Sequence, residues 1–215
     1  MIPGTPILLP DQFNAATYFV DRHIQEGRGE KVAIEAGELR VSYRQLWESV
    51  NRFGNTLRQL GVRIEERVFL LLLDTPEFAI SFFGAIKIGA VPVPVNTLLK
   101  TSDYHYILNN SRARVAVVSE ALYPQIQGRE KLRYLQHVIV VGEAPTTRME
   151  KDTHRFSELI EQSSTRLEAE PTSKDDAAFW LYSSGSTGFP KACVHLQHDM
   201  VVCAERYARG ILGMT

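Results

Sequence analysis

Cysteine is scarce in this sequence: Cys193 and Cys203 are the two among 215 residues, ten apart and without a Cys-x-x-Cys pair. That excludes a disulfide framework and a zinc-ribbon pattern, and it fits a reducing compartment. Long hydrophobic runs are missing too; the longest, residues 68–73, is far too short to span a bilayer. Residues 1–10 are apolar but hold three prolines and no basic residue ahead of Ile7-Leu8-Leu9, so they do not read as a signal peptide, and the cytoplasm is the expected location. Neither sign of charge is in excess. The 24 Lys and Arg face 25 Asp and Glu, a net charge of −1, which removes the electrostatic reason to expect nucleic acid or a membrane as partner. His23, His105, His137 and His154 share no ligand spacing, so no metal set is expected from them. What remains is an ordinary globular balance, 44% hydrophobic, 23% charged and 9% aromatic. At about 150 residues per domain, the length amounts to one domain and part of another.

Ser42 and Gln45 form a capping-box pattern, and Leu46, Val50, Phe53, Leu57 and Leu60 then follow on one face until Gly61, which predicts a core-facing helix. Residues 67–73 predict a strand buried on both faces, as inside a parallel sheet covered by helices. Pro76 suits the first turn of another helix that runs to Gly89, with Phe78, Phe82 and Phe83 in the core and Asp74 as its cap. Val91-Pro-Val-Pro-Val95 reads as an edge strand. A helix starts at Thr101, and residues 115–119 and 137–141 read as two more strands. The alternation predicts an α/β fold, a layered and mostly parallel sheet with flanking helices. Residues 1–142 form its first subdomain, 143–176 a polar crossing with one short helix near 156–160, and 177–215 the start of a second α/β subdomain. In that last part, 177–182 and 191–196 read as strands, 200–211 as a helix, and the two cysteines as buried small hydrophobes.

The chemistry concentrates in Tyr182-Ser-Ser-Gly-Ser-Thr-Gly-Phe-Pro-Lys-Ala192. Gly185 and Gly188 permit backbone turns closed to other residues, so successive N–H groups can converge on an anion. Ser183, Ser184, Ser186 and Thr187 add hydroxyls, and Lys191 adds a mobile point charge. A loop of this kind after a buried strand is built as a polyphosphate cradle. It is not a Walker loop, because Lys191 follows Pro190 and leads into extended sequence. It is not a nucleophile elbow, because Ser184 stands where the first glycine before Ser186 is needed. No Gly-x-Gly-x-x-Gly follows any candidate strand.

This string resembles the phosphate-binding loop of the adenylate-forming superfamily, which includes acyl-CoA synthetases, peptide-synthetase adenylation domains and luciferases. Their loop reads Ser/Thr-Ser-Gly-Ser/Thr-Thr-Gly-x-Pro-Lys-Gly, and Ala192 replaces the final glycine here. Further landmarks are Ser42-Tyr43, Gly61-Val62, Gly89-Ala90-Val91 with Pro94 and Asn96, and Asn110-Ser111-Arg112. Leu73-Asp74, Val95-Asn-Thr-Leu-Leu99, Asp103-Tyr104 and Phe179-Trp-Leu-Tyr-Ser-Ser184 look most like benzoate-CoA and hydroxybenzoate-CoA ligases.

The resemblance implies a two-step reaction. An aromatic carboxylate attacks the α-phosphorus of ATP to give an acyl-adenylate and pyrophosphate, and the thiol of coenzyme A then displaces AMP. It implies that Ser183, Ser184, Gly185, Ser186, Thr187, Gly188 and Lys191 hold the β- and γ-phosphates together with Mg2+. Lys191 and Thr187 would stabilise the departing pyrophosphate. Where family members usually carry a histidine six residues after the loop lysine, Gln197 stands between His195 and His198. The family's adenine pocket, ribose-binding acid, most of the acid pocket and terminal-domain lysine lie beyond Thr215. The chain is therefore expected to be the amino-terminal part of a longer enzyme, truncated within its large domain and inactive alone. A cut sheet edge would expose apolar surface, so self-association, a homodimer at its simplest, is expected. Two alternatives stay open: a fatty or amino acid as the substrate, and a non-catalytic binding module.

Overall fold

The computed structural model describes residues 7–142, 150–183 and 188–214, with the backbone alone at residue 129. A π-helical turn, Thr17–Asp21, runs into α1, Arg22–Gln25. A hairpin of β1 (Val32–Ala36) and β2 (Leu39–Ser42) leads to α2 (Tyr43–Gln59). The predicted capping box starts that helix: Ser42 Oγ accepts from the Gln45 N–H at 3.2 Å, and Gln45 Oε1 accepts from the Ser42 N–H at 2.9 Å. Gly61 ends it in the left-handed region, at φ +80°. Then come β3 (Arg67–Leu71), α3 (Pro76–Lys87), β4 (Val91–Pro94), α4 (Thr101–Ser111) and β5 (Val115–Ser119). Two 3₁₀ turns, Glu120–Ile126 and Arg129–Lys131, lead to β6 (His137–Val141), β7 (Thr153–Arg155) and α5 (Phe156–Gln162). The chain closes with the hairpin β8 (Ala177–Ser183) and β9 (Lys191–Leu196), then α6 (Asp199–Cys203), which passes into a π-helical stretch, Ala204–Arg209.

The strand order β4-β3-β5-β6-β7 is parallel throughout, so every step along it needs a crossover. Alternate residues on each central strand face opposite layers. Val68, Leu70, Val115, Val117 and Ile139 pack with α2, α3 and Phe156 of α5, while Phe69, Leu71, Ala116, Val118, Val138 and Val140 pack with α4. Both faces are dry, which is why these strands read as unbroken apolar runs. This is the layered, parallel α/β architecture expected from the sequence.

Several local expectations need correction. Strand β3 stops at Leu71; Leu73 is exposed and its N–H donates to Ser119 Oγ at 2.9 Å instead of joining the ladder. Asp74 does not cap α3, because the N-cap is Thr75 and Asp74 lies one residue too early. Both cysteines are exposed rather than buried. The hairpin β1–β2 and the three-residue β7 are not among the strands the sequence predicts. Their residues are half-exposed and partly polar, so no apolar run announces them.

The polar stretch after α5 is fastened to the outer face of α2. Asn51 donates to the Thr165 carbonyl (2.8 Å), Arg52 to that of Ser163 (2.7 Å), and Asn55 to those of Ser164 and Arg166 (2.7 and 2.9 Å). Three side chains spaced on one helix thus replace the partners a strand would have supplied.

Helices α2 and α3 meet closely. A methyl group on Gly84 would lie 2.8 Å from Phe53 Cδ1 and 3.1 Å from the Val50 carbonyl oxygen. Helix propensity favours alanine by about 1 kcal/mol, but overpacking costs about 1–3 kcal/mol. Gly84→Ala should therefore destabilise by about 1–2 kcal/mol net in urea unfolding, and a stabilised variant would refute this account of the packing.

Candidate functional site

The hairpin register sets the mouth of the Ser/Gly-rich loop. Ser183, the last residue of β8, pairs with Lys191, the first of β9, and Tyr182 pairs with Ala192. The loop therefore leaves and re-enters at one point, with the Ser183 hydroxyl and the Lys191 ammonium as its posts. Ser184, Gly185, Ser186 and Thr187 lie outside the described residues. Gly188 takes φ +124°, and a side chain there would meet nothing within 4 Å, so the backbone angle rather than space is what calls for glycine. Lys191 is exposed, and its side chain has no hydrogen bond or ion pair among the described residues.

Two contacts, one on each side of the loop, fix it to the same helix. On the way in, the Tyr182 hydroxyl donates to Asn110 Oδ1 at 2.6 Å. On the way out, Phe189, although 71% exposed, stacks on Tyr106 with centroids 4.6 Å apart and planes 16° from parallel. Tyr106 and Asn110 stand four residues apart on α4, hence on one face of it. The sequence marked Asn110 as a landmark without a role and did not mark Tyr106. No local pattern could have shown that α4 lies under the loop. The expectation of a buried strand ahead of the loop also needs correction. In β8 only Ala178 is fully buried, since this is a two-stranded hairpin packed beside β4 rather than a central strand.

Burial pushes the Tyr182 hydroxyl up to about 12, with Tyr106 adding to the rise and Arg67 opposing it. An unfolded tyrosine ionises near 10, so this contribution to stability is complete below pH 10 and is lost between about 10 and about 12. Urea unfolding should show the wild type losing stability across that window more steeply than Tyr182→Phe. Parallel profiles for the two proteins would rule the contact out as a stabilising one.

Gln197 is fully buried; its Oε1 accepts from the Ala15 N–H at 2.8 Å, and its own N–H donates to the Asp176 carbonyl at 3.0 Å. It ties the start of the chain to the corner after β9. His195 stacks on Phe179 at 4.5 Å, with Nδ1 3.6 Å from Asp199 Oδ2, and His198 Nε2 lies 3.2 Å from Asp199 Oδ1. Trp180 and Tyr182 turn toward the α4 layer, whereas Phe179 meets Phe82 of α3 at 5.4 Å. Among the described residues no group of three or more His, Cys, Asp or Glu side chains is arranged to hold a metal ion, and no helix is long and apolar enough to cross a membrane.

Comparison with known proteins adds a second line. The family model described as AMP-binding enzyme matches residues 20–212. A benzoate–CoA ligase of Thauera aromatica is 42% identical over 210 residues, which are 97% of this chain and 38% of that protein. A 4-hydroxybenzoate–CoA/benzoate–CoA ligase of Rhodopseudomonas palustris is 40% identical over 200 residues, 93% of this chain and 36% of its own length. The crystal structure of an anthranilate CoA ligase in complex with anthranoyl-AMP superposes with a TM-score of 0.90 at 37% identity, covering 95% of this chain and 39% of that one. The chain thus spans a little over a third of the length of the relatives it matches.

Proposed function

We propose, from the premise that this chain belongs to the AMP-binding enzyme family, that it is the amino-terminal, phosphate-binding part of an ATP-dependent aryl carboxylate–CoA ligase. The observation that carries this reading is a Ser/Gly loop closed by the Ser183–Lys191 pair and braced on α4, in a chain 42% identical to a benzoate–CoA ligase.

In the proposed reaction a carboxylate oxygen bonds to the α-phosphorus of ATP, and the bond from that phosphorus to the bridging oxygen breaks, releasing pyrophosphate. The sulfur of coenzyme A, its thiol proton lost to solvent, then bonds to the acyl carbon as the bond to the AMP oxygen breaks. Ser183, Ser184, Gly185, Ser186, Thr187, Gly188 and Lys191 hold the β- and γ-phosphates. Lys191 and Thr187 meet the charge that grows on the leaving pyrophosphate. Prepositioned N–H groups and a cation lower that barrier because they need no reorganisation when the bond breaks. Mg2+, when bound with the nucleotide, would supply charge neutralisation on the phosphates. Turnover needs residues outside these 215, and the chain alone binds without completing the reaction.

The test is exchange of labelled pyrophosphate into ATP by the protein read to its natural stop codon, with benzoate, hydroxybenzoate, aminobenzoate and a long-chain fatty acid in parallel. Exchange driven by an aryl acid is the expected result. Exchange with the fatty acid alone would discard the aryl assignment, and no exchange with any acid would favour a binding module. The described surface after β8 exposes Val194, Val202, Tyr207, Ile211 and Leu212, and we propose that the 215-residue chain self-associates through it as a dimer. Light scattering across a wide concentration range should show the mass rising, and a constant monomer mass would refute it.

A further inference from the structure

We propose that a cavity walled by arginines at the amino-terminal edge of the parallel sheet is a binding site for a small phosphate-bearing anion, separate from the 183–191 loop. The cavity holds about 330 Å3 and is lined by Glu66, Arg67, Arg112, Arg114, Arg133 and Tyr134. These residues are far apart in sequence. Arg67 opens β3, Arg112 caps the end of α4, Arg114 directly precedes β5, and Arg133 and Tyr134 lie just before β6. They meet because β3, β5 and β6 are adjacent and parallel, with Val68 beside Val115 and Val115 beside His137, so the strands start at one edge.

Four guanidinium groups there face one lining carboxylate. Arg114 satisfies that carboxylate, donating to Glu66 Oε1 at 2.7 Å and to Gln136 Oε1 at 2.6 Å, and its buried Nε has no partner among the described residues. Arg67 spends donors on the carbonyls of Ser111 (2.5 Å) and Glu65 (2.7 Å). The Arg112 and Arg133 guanidinium groups have no ion pair among the described residues; Arg112 lies over the Tyr134 ring, 5.7 Å from its centroid. Burial holds the Arg67 guanidinium below its ordinary value; Glu66 opposes the shift and the charge of Arg112 adds to it.

The conformation of Arg112 points the same way. It sits at φ +55°, the left-handed position that commonly follows a helix and that glycine takes at least cost. An arginine here accepts that cost and delivers its guanidinium to the cavity.

Planar guanidinium forks match phosphate oxygens in pairs, and an excess of cations suits a multivalent anion. The volume lies at the small end of the range for ligand sites, room for an oligophosphate group rather than for a macromolecular surface. The chain as a whole carries a net charge of −1, so this is a local concentration of positive charge and not a generally basic surface. The nearest link to β8 is Arg67, 5.5 Å from the Trp180 ring centroid, which gives the site an optical reporter.

The experiment is calorimetric titration of the 215-residue chain with tripolyphosphate at low salt and without magnesium, alongside Trp180 fluorescence. Arg112→Gln with Arg133→Gln should weaken one equivalent of binding at least tenfold and abolish its fluorescence change. Lys191→Ala should leave that equivalent in place. Both arginines are exposed, so the variants keep the fold, which circular dichroism would verify. Unchanged affinity in the double arginine variant, loss of all binding in Lys191→Ala, or no saturable binding by the wild type would each overturn the proposal.

Discussion

Lys87→Ala should cost the chain about 3–5 kcal/mol of stability, the typical loss when one partner of a buried ion pair is removed. Lys87 is 1% exposed at the end of α3, and its ammonium donates to Asp21 Oδ1 and to Asn51 Oδ1, both at 2.6 Å. Burial holds that ammonium below the ordinary lysine range, with Asp21 opposing the shift. The pair therefore joins α2, α3 and the turn before α1 without being a large net stabiliser, since two charges were taken out of water to make it. Alanine would leave Asp21 and Asn51 facing a cavity. Joint replacement by Lys87→Met and Asp21→Leu should recover most of the loss, because an apolar pair of similar volume needs no water. Urea unfolding of the three proteins decides the matter: a loss under about 1 kcal/mol for Lys87→Ala, or no recovery in the double variant, would contradict this account.

In the protein read to its natural stop codon, Lys191→Ala should slow adenylation by about 10²–10³-fold, the scale seen when one prepositioned donor to a developing anion is lost. The lysine is exposed at the loop mouth and its side chain has no partner among the described residues, so its removal should leave the fold intact. Asn110→Ala combined with Tyr106→Ala should act differently. It removes no phosphate ligand but releases both anchors of the loop, so it should lower the rate while circular dichroism stays unchanged. Pyrophosphate exchange measures both effects. Wild-type exchange in Lys191→Ala would end the loop assignment, and wild-type exchange in the double variant would end the role given to α4.

Much of this was legible in the chain. Helix α2 is announced by its capping box and its stripe, and the central strands by apolar runs, because each of these signals is written within a few consecutive residues. The loop is legible for the same reason, its glycines, hydroxyls and lysine lying in one short string. Asp74 misled because two residues before Pro76 compete for the cap and a single position decides between them. The cysteines misled because composition predicts burial only on average.

The sequence by itself determined the α/β layering and the family, because periodicity and motif are properties of neighbours along the chain. Tertiary structure alone decided that α4 carries both anchors of the loop, that Gln197 holds the chain's start to its last corner, and that four arginines share one cavity. Those residues are separated by tens of positions, and only the crossovers of a parallel sheet bring them within reach of one another.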